Sequence, residues 1–173
     1  MERVCATHHI GQGEMVVSSN PDAMLTAVLG SCVAACLWDP APGIGGMNHI
    51  LLPEGSEGDL RRTLYGTNAM ELLINSLLQG GAERRRLRCK LFGGARMMEG
   101  LGDIGAKNGR FAVEFCKREG IEVVAMSLGG TGARRVQFWP SSGKARQRVL
   151  SDALVSETPP RREVLPSSEV ELF

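Results

Sequence analysis

Residues 29–54 read LGSCVAACLWDPAPGIGGMNHILLPE. A Gly-Ser turn leads into an apolar run, Cys32 to Trp38, then DPAPG intervenes, and a second apolar run follows that carries one histidine, His49. Prolines and glycine together forbid a continuing helix or strand, so the two runs read as strands folded back on each other. If the chain reverses between Pro40 and Ala41, Cys32 stands directly across from His49 on one face, where Cβ atoms are typically ~4.5–5.5 Å apart. A slip of one residue would send one of the two side chains to the opposite face.

A thiol and an imidazole at that spacing are a nucleophile and its base. Gly30 and Ser31 make a tight turn just before Cys32, leaving backbone N–H groups to face an oxyanion, as acyl-transfer chemistry requires. Gly45 and Gly46 leave the facing strand bare for the approach of a substrate chain. A thiolate beside a protonated imidazole has its pKa depressed to ~3.5–7.5. The competing reading makes both residues ordinary core, because cysteine is among the most buried residue types. Cys36, further along the same face, reads as core.

Working outward, residues 16–18 and 24–29 are short strands separated by the turn SNPDA. EGSEGDLRR reads as a polar loop. Over residues 63–79 apolar side chains recur at helical spacing, and Gly80 with Gly81 offers a left-handed cap. Residues 87–92 read as a strand, 105–119 as a second helix ended by Gly120, and 121–126 as another strand. RRVQFWPSSGKARQRVL has the form of a hairpin turning at Pro140 to Gly143. Strands from several hairpins plus two amphipathic helices imply an α+β domain with a mixed sheet covered by helices. Residues 1–150 are expected to form this domain. Residues 151–173, rich in Ser, Pro and charge, are expected to be a flexible tail.

Lys plus Arg number 20 against 19 for Asp plus Glu, so nothing in the net charge of +1 argues for nucleic acid or an anionic membrane as the main partner. The basic run ERRRLRCK reads as a solvated edge. The five cysteines include no C-x-x-C pair, which argues against a disulfide framework and a structural zinc site. Cys5 with His8 and His9 matches no ordinary zinc spacing. No apolar run is long enough to span a bilayer, so a soluble, cytoplasmic protein is expected.

TAVLGSCVAACLWDPAPGIGGMNHILLP closely resembles the chemoreceptor glutamine deamidase family, CheD, in its T-x-x-LGSCV strand and GGM-x-H-x-LLP segment. KLFGGARMM, IGAKNGRFAVEFCKREGI and SLGGTGARRVQFWPSSGKA resemble the same family in order. The resemblance implies a three-layer α/β sandwich like that of bacterial toxin deamidases. It also implies hydrolysis of receptor glutamine side chains to glutamate, with release of ammonia and no cofactor. Carried over, Cys32 is the nucleophile, His49 the general base and Thr26 the group that orients the imidazole. Cytoplasmic domains of chemoreceptors are the implied substrates, and a chemotaxis phosphatase of the CheC type is an implied partner. Ala133 stands where the family's late GG-x-x-GR stretch usually has glycine.

Two other readings compete. GLGDIG, Gly100 to Gly105, matches G-x-G-x-x-G and suggests a nucleotide site, but GGARMME separates it from the preceding strand, whereas phosphate loops follow the strand at once. A non-catalytic chemotaxis module that binds receptors or the phosphatase is the second.

Overall fold

The computed structural model describes residues 5–56, 58–97, 103–150 and 170–173. They form strands β1 (Ala6–His9), β2 (Met15–Ser18), β3 (Ala23–Leu29), β4 (Val33–Asp39) and β5 (Ile44–Asn48), then helix α1 (Leu60–Gln79). There follow β6 (Arg88–Gly93), helix α2 (Ile104–Glu119), β7 (Glu122–Leu128), β8 (Arg134–Trp139), β9 (Lys144–Val149) and β10 (Val170–Leu172). The strands divide into two five-stranded sheets, ordered β1-β3-β8-β9-β10 and β2-β5-β4-β6-β7. Both are mixed, since β1 runs parallel to β3 and β6 parallel to β7.

The central strand β4 explains the layering. Every one of its residues is buried. Val33, Ala35 and Leu37 pack with Met70, Leu73 and Ile74 of α1 and Phe115 of α2, whereas Ala34, Cys36 and Trp38 pack with Leu25, Leu29, Val136 and Phe138 of the other sheet. Consecutive side chains point to opposite faces of a strand, so an unbroken apolar run is what a strand in the middle layer needs. The result is the expected three-layer α+β sandwich: helices, one sheet, then the second sheet.

The turn between β4 and β5 takes Pro40 to Gly43, longer than the expected reversal between Pro40 and Ala41. Gly43 adopts a left-handed φ of 71°, and the Asp39 carboxylate accepts the Ala41 N–H at 3.0 Å. Cys36 therefore faces Met47 rather than Gly45. The shift is by two residues, an even number, so the faces are those expected but the opposing pairs are not.

Three other expectations change. Helix α1 begins at Leu60 because Asp59 caps it, accepting the Arg61 N–H at 2.9 Å. The basic run is more than a solvated edge: Arg84 pairs with Glu71 of α1 at 3.0 Å and Glu119 of α2 at 2.8 Å, and Arg86 pairs with the buried Asp39 at 3.0 Å. The end of the expected flexible tail is a strand. β10 pairs antiparallel with β9, and the Phe173 ring meets Phe92 edge-on at 5.4 Å. The nearly buried Lys90 donates to the Phe173 carbonyl at 2.7 Å. Residues 151–169 lie outside the described residues.

Candidate active site

Val33 and Ile50 exchange both backbone hydrogen bonds, at 2.9 and 2.7 Å, in an isolated bridge that continues the β4–β5 ladder. Cys32 precedes Val33 and His49 precedes Ile50. In an antiparallel pair this makes Cys32 and His49 diagonal neighbours on one face, a spacing of roughly 7–8 Å between Cα atoms rather than that of directly opposed residues. The register thus sets the two residues on one face, one diagonal step apart rather than directly opposed as the sequence reading expected. Both are nearly buried, Cys32 at 4% exposure and His49 at 6%.

The loop between β1 and β2, IGQGE over residues 10–14, holds both side chains. The Ile10 carbonyl accepts from His49 Nδ1 at 2.9 Å, and Gln12 Nε2 donates to Cys32 Sγ at 3.4 Å. The loop also bonds the His49 backbone, since Gly13 N–H donates to the His49 carbonyl at 2.9 Å and His49 N–H to the Glu14 carbonyl at 3.2 Å. With Nδ1–H spent on Ile10, the ring's lone pair is at Nε2, which is buried and has no hydrogen-bond partner among the described residues.

Thr26 does not orient the ring with its hydroxyl. Leu25, Ala27 and Leu29 of β3 face the inter-sheet core, so alternation turns Thr26 to the other side of its sheet. There its Oγ1 donates to the Val136 carbonyl at 2.8 Å. What Thr26 contributes is its backbone carbonyl, which accepts the Ile10 N–H at 2.8 Å and so steadies the residue that holds the imidazole.

The turn before Cys32 is pinned along its carbonyl edge. Gly30 accepts from Ala95 N–H at 2.9 Å, Cys32 from Gly94 N–H at 2.8 Å, and Ser31 from Asn108 Nδ2 at 2.8 Å. Asn108, 1% exposed on α2, also accepts the Leu52 N–H at 3.2 Å, tying the turn to the segment that follows His49. Gly93, with φ 111°, lets the end of β6 lie against the Cys32 carbonyl where any Cβ would collide. Gly45 and Gly46 serve packing rather than substrate approach. A Cβ on Gly45 would strike the Pro140 backbone, and one on Gly46 would strike Leu73, Val17 and the Val16 carbonyl.

Electrostatically both side chains favour their neutral forms, whereas the sequence reading expected a thiolate–imidazolium pair. Burial pushes the Cys32 thiol above its ordinary range, while the Gln12 hydrogen bond pulls it down by less. Burial pulls His49 below the ordinary imidazole range, against the opposing pull of the Ile10 carbonyl and Glu14. A neutral imidazole with a free Nε2 is a proton acceptor. A cleft between the loop and α1 is lined by Gly13, Glu14, His49, Tyr65, Asn68 and Leu72.

A family model described as "CheD chemotactic sensory transduction" matches residues 51–149. A protein of Caulobacter vibrioides named "Probable chemoreceptor glutamine deamidase CheD" is 48% identical over 95% of this chain and 92% of its own. The chain belongs to the CheD family. A CheD of Acidiphilium cryptum under the same name is 52% identical, again over 95% of this chain and 92% of its own. A CheD of Agrobacterium fabrum is 50% identical over 91% of this chain and 88% of its own.

The competing nucleotide motif fares poorly where it is described. Residues 100–102 lie outside the described residues, but Gly105 packs its α-carbon on the backbone of Gly94 and Ala95, and Asp103 caps α2 by accepting the Ala106 N–H at 2.9 Å. A carboxylate already occupies the helix end where a phosphate would bind. Among the described residues no helix is long and apolar enough to cross a membrane.

Proposed function

We propose that this chain is a chemoreceptor glutamine deamidase that uses Cys32 as nucleophile and His49 as general base. The observation that carries the reading is the buried Nε2 of His49, without a hydrogen-bond partner among the described residues and one diagonal step from Cys32. As Sγ attacks Cδ of a receptor glutamine, Nε2 takes the thiol proton. The oxyanion is received by backbone amides of the turn at Gly30, Ser31 and Cys32, whose carbonyl edge is already committed. The imidazolium then protonates the departing ammonia, leaving a thioester. Water, deprotonated by Nε2, hydrolyses it to glutamate and returns the proton to sulfur. The net change is carboxamide plus water to carboxylic acid plus ammonia.

Ile10 and, behind it, the Thr26 backbone orient the ring in place of a triad carboxylate. A neutral carbonyl fixes the tautomer while stabilising the imidazolium less than a carboxylate would. The test is incubation of the purified protein with a cytoplasmic chemoreceptor fragment, with amide-to-acid conversion mapped by mass spectrometry. Conversion at defined glutamines is expected, and its loss in a folded Cys32→Ala protein. Wild-type conversion by Cys32→Ala would reject the mechanism.

A further inference from the structure

Among the described residues, Gln12 is the side chain that hydrogen-bonds the Cys32 sulfur. It sits at the second position of a tight turn: the Glu14 N–H donates to the Gly11 carbonyl at 3.0 Å and Gly13 takes φ 78°. A left-handed third residue is the signature of a type II turn, which glycine satisfies without strain. The Glu14 carboxylate closes the turn again by accepting the Gly11 N–H at 2.9 Å. Both flanks are anchored, Ile10 on Thr26 and Gly13 on His49. The turn is thus a fixed mount that presents an exposed Gln12 to a nearly buried sulfur.

We propose that Gln12 is a positioning residue for deamidation, its side-chain amide donating to the Cys32 sulfur and holding it in place as negative charge develops there. The inference rests on Cys32 being the nucleophile. A sulfur removed from water cannot carry charge without a donor, and His49, which takes the proton, is a diagonal step away. The Gln12 amide is a neutral donor already in contact, at 3.4 Å. Being neutral, it assists the anion without locking the resting thiol into a permanent ion pair. It is consistent with this role that the Gln12 contact opposes the effect of burial on the thiol.

The test uses the full chain carrying Gln12→Ala or Gln12→Glu, with Cys32→Ala in parallel. Gln12 is exposed, so neither change removes core packing, and equal melting temperatures verify that the variants fold. The rate of iodoacetamide alkylation of Cys32 is followed against pH on the Cys32 peptide, alongside kcat and KM on a receptor fragment. His49 and Glu14 are the titratable side chains that the same loop brings to the site, so the profile is repeated in His49→Gln to separate the imidazole's own titration. For Gln12→Ala the alkylation midpoint is expected to move up. Its kcat should fall roughly 10- to 100-fold with KM near wild type, the scale of one hydrogen bond to a charged group. Gln12→Glu, which sets a carboxylate against the sulfur, should exceed it on both measures. An unchanged midpoint, or a kcat that stays level or rises, would overturn the inference and leave Gln12 a mere cover. If Cys32→Ala itself retains activity, the nucleophile assignment falls with it.

Discussion

His49 Nδ1 lies 2.9 Å from the carbonyl oxygen of Ile10, and the N–H of Ile10 lies 2.8 Å from the carbonyl oxygen of Thr26. The imidazole is thus oriented by backbone, at the end of a chain that begins on β3. Side-chain substitutions at the two ends should separate cleanly. His49→Ala removes the proton carrier and should leave almost no deamidation. Thr26→Ala keeps the backbone carbonyl and loses only the hydroxyl's bond to Val136, about 0.5–1.5 kcal/mol of stability. A lowered Tm with most of the kcat preserved is expected, and a Thr26→Ala protein as inactive as His49→Ala would restore the hydroxyl to the mechanism.

The direction of the His49 shift sets a pH window. Burial outweighs the Ile10 carbonyl and Glu14, so the folded pKa lies below the ordinary imidazole value. The base stays neutral until the pH falls below about 6.5, and the acid limb of kcat/KM, which reports the free protein, should lie under that value. Stability follows the same sign, because the unfolded chain binds this proton more readily than the native one. The contribution is complete above about 6.5 and is lost as pH falls through the lower folded value. Tm measured against pH should drop less steeply in His49→Gln than in wild type across that window. Parallel curves would mean that His49 titrates normally.

Asn108 should behave as a structural brace with a catalytic cost. Its amide meets the Ser31 carbonyl and its oxygen the Leu52 N–H, so Asn108→Ala strands one part-buried and one buried backbone group. At about 1–3 kcal/mol for each unsatisfied group, a loss of roughly 2–6 kcal/mol is expected. The turn bearing Cys32 should also shift, lowering kcat at temperatures where the protein remains folded. Chemical denaturation and turnover measured on the same preparation check both. Wild-type stability in Asn108→Ala would show that water replaces the amide.

Much of this arrangement was readable from the chain, and the misses have physical causes. DPAPG announces the hairpin, but the register depends on how many residues the turn consumes, which the Asp39 carboxylate and Gly43 decide together. Cys32 and His49 carry their chemistry in their side chains and so stand out. Ile10 acts through a carbonyl, and Gln12 through a turn positioned by the parallel pairing of β1 with β3, a contact between distant segments with no local signature. Strand β1 reads THH at its core, without the apolar alternation that marks a strand. Asn108 did leave a signal: it falls on the buried stripe of α2 among Gly105, Gly109, Ala112, Phe115 and Cys116. A polar residue on such a stripe has a partner to satisfy.

Strand β10 gives the last prediction, which departs from the expectation of a flexible tail end. Composition alone cannot reveal it, because three residues in a Ser-, Pro- and charge-rich region carry too little pattern. Yet Phe173 bonds the Ala145 carbonyl through its N–H at 3.0 Å, rests its ring on Phe92, and offers its own carbonyl to Lys90. Burial of Lys90 lowers its pKa, and its ammonium also lies 5.2 Å from the Trp38 ring. Phe173→Ala should cost about 1–2 kcal/mol, less than the ~3–5 of a fully buried phenylalanine because the ring is half-buried. Deleting residues 170–173 should cost more, since it also strips the acceptor from a nearly buried cation. Denaturant midpoints of the two variants should therefore fall in that order, with kcat of the folded Phe173→Ala protein little changed. Midpoints equal to wild type would mean that the strand does not dock in solution.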